Sequence, residues 1–153
     1  MQGDLLIRPI AAGDAGEIFT LQRAAFVQEA ELYRTVDIPA LTQSLGDLES
    51  ELAASGGLVA LIRNRIVGSV RARTDGDLLL ISRLAVAPDM QGRGIGTALL
   101  AAVEARSDAL EAELFTGSLS EPNLRLYRRE GYVETGRIVL PEVELVYLRK
   151  RLR

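Results

Sequence analysis

Gln91-Gly92-Arg93-Gly94-Ile95-Gly96 decides the reading of this chain. The stretch follows a strand-like run, Leu78 to Ala87. It precedes an amphipathic helical pattern in which Ile95, Ala98, Leu99, Ala102 and Val103 keep the 3.6-residue period. Glycines on alternate positions let the backbone turn tightly and bring its N–H groups close to a ligand. A helix opening there adds unpaired N–H groups and the positive end of its dipole. Such a turn is a ready site for a phosphate or pyrophosphate.

Upstream of the turn, Leu58 to Ile62, Ile66 to Thr74 and Leu78 to Ala87 are apolar runs parted by Arg63-Asn64-Arg65 and Asp75-Gly76. They predict an antiparallel three-stranded meander. Earlier still, Leu5 to Ile10 predicts a first strand, and Asp14 with Glu17 has the spacing of a capping box. The helix opening there carries Ile18, Leu21 and Ala25 on its apolar face, and the polar, less periodic Gln28 to Asp37 predicts an irregular stretch. Pro39 suits the first turn of a second helix, striped by Leu41, Leu45, Leu48 and Leu52 and broken by Gly56-Gly57. Downstream, Glu113 to Thr116 predicts a short strand and Glu121 to Arg129 a short helix. Tyr132 to Val139 and Val143 to Leu148 then close the chain as strands around Pro141. The predicted class is mixed α/β, a mostly antiparallel sheet of about seven strands with about four helices on its faces. No linker, repeat or low-complexity segment interrupts it, so residues 1–153 are expected to form one domain.

Composition removes many chemistries. There is no cysteine and no histidine, which excludes thiolate nucleophiles, Ser-His-Asp triads and Cys- or His-ligated metals; no metal site is expected. A net charge of −3 argues against nucleic-acid binding. Neither a leader pattern nor an apolar run of about 18 residues is present, so no membrane partner and a cytoplasmic location are expected. The closing Arg149-Lys150-Arg151-Leu152-Arg153 is expected to be the solvated end of the last strand. Two nucleotide readings of the glycine turn also fail. A Walker A loop needs Gly-Lys-Ser/Thr, which is absent, and a dinucleotide fingerprint needs a glycine where Thr97 stands.

Leu84-Ala85-Val86-Ala87-Pro88 followed by Gln91-Gly92-Arg93-Gly94-Ile95-Gly96 resembles the acetyl-CoA motif of the GNAT superfamily of N-acetyltransferases, Gln/Arg-x-x-Gly-x-Gly/Ala behind a strand ending in Val-x-Pro. Asn123-Leu124-Arg125-Leu126-Tyr127, with Gly131-Tyr132 after it, resembles that family's Asn-x-x-x-Tyr…Gly-Phe/Tyr segment. The element order is similar from end to end. The resemblance implies acetyl-CoA as co-substrate, with its pyrophosphate on Gln91, Gly92, Arg93, Gly94, Ile95, Gly96 and Thr97. It implies that the strand through Leu84, Ala85 and Val86 splays from its neighbour, holding the pantetheine arm and pointing an N–H at the thioester oxygen. Asn123 then holds the pantetheine or caps its helix. Homodimers are a habit of the same family.

The reaction so implied is direct attack by a primary amine of a small molecule or peptide. Without cysteine or histidine, an acyl-enzyme is disfavoured. Tyr127 is the candidate general acid for the departing thiolate. Some relatives carry a base on the strand before the glycine turn, but here that strand reads Leu78-Leu79-Leu80-Ile81-Ser82-Arg83 and has no carboxylate. The base is then water, Glu29 or Glu31, with Glu29, Tyr33 and Arg83 as acceptor-site candidates. Arg83 would meet a substrate carboxylate or a nearby acid. The missing strand carboxylate also leaves open a non-catalytic acyl-CoA sensor. An acidic pI of about 5.1 tilts the acceptor toward cationic amines.

Overall fold

The computed structural model describes residues 4–153. Its strands are β1 (Leu5–Pro9), β2 (Gly56–Ile62), β3 (Arg65–Asp75), β4 (Leu78–Val86), β5 (Glu111–Gly117), β6 (Val133–Val139) and β7 (Glu144–Arg151). Its helices are α1 (Ala15–Tyr33), α2 (Pro39–Thr42), α3 (Leu45–Ala54), α4 (Ile95–Ala105) and α5 (Glu121–Arg129). The strands form one seven-stranded sheet in the order β1-β2-β3-β4-β5-β7-β6. Every neighbouring pair is antiparallel except β4 and β5. The meander, the helix after the glycine turn and α5 lie where the sequence puts them. The β7 strand inserts between β5 and β6, a crossover that hydrophobic pattern does not encode.

Both sheet faces are covered. On one, α4 and α5 pack Leu99, Leu100 and Leu124 onto Leu79, Ala112 and Leu148. On the other, α1 and α3 set Ile18, Leu21 and Leu48 against Val59, Ile66 and Ala85. Ile18, Leu48, Leu99 and Leu100 are fully buried, and each such side chain contributes about 1.5–3 kcal/mol. Among the described residues, no helix is long and apolar enough to cross a membrane.

Four local expectations are corrected. The Asp14–Glu17 capping box does not form. The Asp14 carboxylate instead accepts from Arg8 Nη1 and Nη2 at 2.8 and 3.0 Å and from Ala11 N at 2.7 Å. Arg8 thereby holds this carboxyl below the usual carboxylate range. Glu17 reaches the sheet and accepts from Ile66 N at 2.7 Å. Next, α1 does not stop near Gln28 but runs on to Tyr33, and Arg34 ends it in the left-handed region at φ 54°. The apolar period fades because the last turns of α1 line a polar cleft rather than the core. The single helix expected from Pro39 is two. Gln43 is extended, and Ser44 restarts the chain as an N-cap accepting from Asp47 N at 3.1 Å. The expected solvated C-terminal run is also partly paired. Arg149 bonds Glu113 at 2.9 Å and Lys150 bonds Glu104 at 2.8 Å.

Candidate active site

The site begins with a defect in β4. Ser82 pairs with Arg71 and Ala85 with Ser69, so β4 advances three residues where β3 advances two. The extra residue is a β-bulge, and Arg83 within it takes φ 54°. A bulge shifts the side-chain alternation. Leu79 and Ile81 face the α4 side before it; after it Leu84 and Val86 do so, and Ala85 and Ala87 turn to the α1 side.

A second break lies on the opposite edge. The parallel ladder between β4 and β5 covers only Leu78 to Leu80 against Glu111 to Glu113. Beyond it β5 pairs with β7 alone, so β4 from Ile81 onward presents a free edge toward β5. At its end, Gln91 Nε2 donates to Val86 O at 3.3 Å and braces the glycine turn. Gly92 and Gly94 have φ of 77° and 81°, and Gly94 is the N-cap of α4. The first helical bond runs from Ala98 N to Gly94 O, so the N–H groups of Ile95, Gly96 and Thr97 precede the ladder. Arg129 Nη2 reaches Thr97 Oγ1 at 3.3 Å and ties α5 to this turn.

Between the splayed strands lies a cleft of about 290 Å³. Phe26, Glu29 and Tyr33 of α1 form one wall, Arg83 and Leu84 of β4 a second, and Asn123 and Tyr127 of α5 a third. Two more open hollows, of about 490 and 690 Å³, involve neither the glycine turn nor Tyr127.

The cleft holds a connected polar network. Ser120 Oγ donates to Glu29 Oε2 at 2.8 Å and lies 2.7 Å from Tyr33 Oη, which accepts from Leu119 N at 3.1 Å. Asn123 Nδ2 donates to Thr116 Oγ1 at 3.2 Å and to Glu29 Oε1 at 3.4 Å. Tyr33 passes directly over the backbone of Gly117: a Cβ there would lie 1.9 Å from its hydroxyl oxygen. Burial raises the Tyr33 phenol above its ordinary range. Tyr127 is 6% exposed, and no side-chain hydrogen bond fixes its hydroxyl among the described residues. Burial, and then the Glu29 charge, push its phenol well above the usual value, so it stays protonated.

The structure thus brings Glu29, Tyr33, Arg83, Leu84, Asn123 and Tyr127 to one cleft and leaves Glu31 exposed outside its lining. Glu29 and Glu31, two positions apart on a 3.6-residue helix, point in different directions. The sequence predicts irregular chain for both, and both lie in α1. Asn123 does not cap α5; its amide is spent on Glu29 and Thr116. Ala85 and Val86 pair with Ser69 and Gly68 of β3 on their other edge. Sequence reasoning missed Ser120, Thr116 and Gly117. Ser120 stands at the N-cap position of α5, yet its hydroxyl makes no capping bond.

An acetyltransferase (GNAT) domain model matches residues 54–134. Among curated proteins, UPF0157 protein YqkA of Bacillus subtilis (strain 168) is 29% identical over 119 residues, 77% of this chain and 34% of that one. This chain therefore spans about a third of that relative's length. The fold is shared with the PaiA N-acetyltransferase of Thermoplasma acidophilum in complex with coenzyme A (TM-score 0.80, 15% identity, 96% of this chain and 98% of that one). It is also shared with an N-acetyltransferase of Staphylococcus aureus Mu50 (0.81, 12%, 97% and 99%). A third structure of this fold is a phosphinothricin acetyltransferase of Sinorhizobium meliloti in complex with AcCoA (0.77, 19%, 97% and 88%).

Proposed function

This chain belongs to the GNAT family of acetyltransferases, and from that premise we propose that residues 1–153 act as one N-acetyltransferase unit. It moves the acetyl group of acetyl-CoA directly to the primary amine of a small molecule or peptide. One observation carries the reading. The free edge of β4 runs from the glycine turn at one end to the Tyr127–Glu29 cleft at the other. The coenzyme A and AcCoA held by two structures of the same fold support the co-substrate.

The amides of Gly92 to Thr97 and the N-terminus of α4 receive the pyrophosphate, with Arg93 adding positive charge. One exposed dipole contact is worth only about 0.3–1 kcal/mol, so several amides act together. The unpaired edge of Leu84 to Val86 takes the pantetheine as an added strand and aims an N–H at the thioester oxygen. A donor so placed contributes roughly 3–4 kcal/mol. Acetyl-CoA supplies an acyl group activated as a thioester.

The attacking amine must be neutral, although alkyl ammonium groups have a pKa near about 10. Glu29 takes that proton, oriented by Ser120 and Asn123, with Tyr33 holding Ser120 in turn. It does the work that an acid on β4 would otherwise do. Tyr127 gives a proton to the departing sulfur. Burial keeps that phenol protonated, so it can act only as a donor.

Thiol release from acetyl-CoA with a panel of amines tests the proposal. Tyr127→Phe should lower kcat by about 10²–10⁴-fold with only a small loss in acetyl-CoA affinity. An unchanged rate in this variant ends the acid assignment, and turnover of any amine rules out a non-catalytic sensor.

A further inference from the structure

Among the described residues, one buried side-chain nitrogen or oxygen has no hydrogen-bond partner: Arg83 Nη1. The guanidinium is half-buried, lines the cleft and has no salt bridge among the described residues. Its backbone is also unusual, since φ 54° is a region that long side chains enter reluctantly. Backbone strain coinciding with a buried, unsatisfied polar atom is what functional sites accumulate.

Among the described residues, no acid forms a salt bridge with Arg83. Arg71, on the partner strand, is another cation, 3% exposed, and it is already engaged by Glu51 and by Gln22 Oε1 at 2.6 Å. The Arg71 guanidinium is lowered first by burial and also by the charge of Arg83, consistent with two cations close together. Glu29, which also lines the cleft, accepts from Ser120 and Asn123 and makes no bond to Arg83. A half-buried guanidinium with one nitrogen shut off from water and unpartnered carries a cost, and an anion from a ligand reduces it.

We propose that the acceptor carries its own carboxylate, received by Arg83, so that the substrate class is a zwitterion of amino-acid size. The assignment rests on the cleft being the acceptor site of the transferase. Two walls of the cleft carry opposite charges, Glu29 of α1 for the amine and Arg83 of β4 for the carboxylate. A polyamine would set a cation against Arg83, and a bare alkylamine would leave it unpaired; both are selected against. The 290 Å³ of the cleft lies at the small end of ligand pockets, which run from about 300 Å³ upward. The site therefore reverses the preference for cationic amines that the acidic pI suggests.

Calorimetry on the protein saturated with coenzyme A reads acceptor binding without turnover. The probes are the common L-amino acids, each beside its own carboxamide. At least one amino acid should bind about 10²-fold more tightly than its amide. Arg83→Gln should reduce that ratio to within about threefold, and Arg83→Lys, which keeps charge but loses the fork, should fall between. Amides binding as tightly as acids in the wild type would overturn the proposal. So would binding by neither series, or an unchanged ratio in Arg83→Gln. If Arg83→Gln does not fold, the wild-type ratio and Arg83→Lys decide. Thiol release with amides or polyamines but not amino acids would sink this inference and leave acetyl transfer standing. Thiol release with no amine at all would sink acetyl transfer itself.

Discussion

Gly117→Ala tests the polar network of the cleft through a single methyl group. Gly117 closes β5 without a positive φ, so alanine brings no backbone strain and acts only by its volume. The added Cβ would sit 1.9 Å from Tyr33 Oη and 2.3 Å from Tyr33 Cζ. Ordinary contacts lie at about 3.5–4.0 Å, so the ring must retreat by roughly 1.5 Å. It then leaves Ser120 Oγ at 2.7 Å and Leu119 N at 3.1 Å. Hydrogen bonds of this kind contribute about 0.5–1.5 kcal/mol each, and these are partly solvated, so the expected total is about 1–2 kcal/mol. For a domain of this size that is a Tm loss of roughly 3–8 °C. Ser120 also holds Glu29, and displacing a reacting group by about 1 Å costs up to about 10²-fold in rate. Calorimetric melting and thiol release should therefore fall together. The refuting experiment is a double-mutant cycle: in a Tyr33→Ala background, Gly117→Ala should cost less than about 0.5 kcal/mol. Equal costs in both backgrounds, or an unchanged Tm in the single variant, would show that Tyr33 is not held as described.

Gly94→Ala meets no atom within 4 Å but sits at φ 81°, so it should cost about 1–2 kcal/mol through the backbone alone. It should also weaken acetyl-CoA by about tenfold or more in a binding titration, since one displaced charge-assisted donor is worth about 1.5–3 kcal/mol. The phenols of Tyr127 and Tyr132 are both raised, chiefly by burial. Groups raised on folding stabilise below their unfolded pKa, so this contribution holds up to about pH 10 and is lost as pH rises beyond. Melting curves between neutral pH and pH 11.5 should show that decline, and Tyr127→Phe should shallow it.

What the sequence makes legible follows from where local and tertiary demands agree. Leu78 to Ala105 is a strand, a glycine turn and a helix because the apolar period changes across three glycines, and α5 was bounded correctly by Glu121 and Arg129. The end of α1 was not legible. Glu29 and Tyr33 face a cleft, so the periodicity that marks a core helix is missing there. The bulge at Arg83 left one trace, a charged residue in an apolar strand, which cannot reveal a register shift against β3. The Asp14–Glu17 spacing suggests a local capping box, yet Asp14 accepts from Arg8 and Ala11 N and Glu17 from Ile66 N. Ser120 joined the site only through residues some ninety positions away.

The most direct measurement is the thermal shift of the purified protein with acetyl-CoA, beside NAD and ATP. A ligand at a hundredfold excess over its Kd stabilises the folded state by about 2.7 kcal/mol, which is roughly a 5–10 °C rise for a domain of this size. The account predicts that rise with acetyl-CoA and none with NAD or ATP. No rise with acetyl-CoA, or a rise with NAD instead, would contradict it, because the glycine turn and the free edge of β4 would then serve some other ligand.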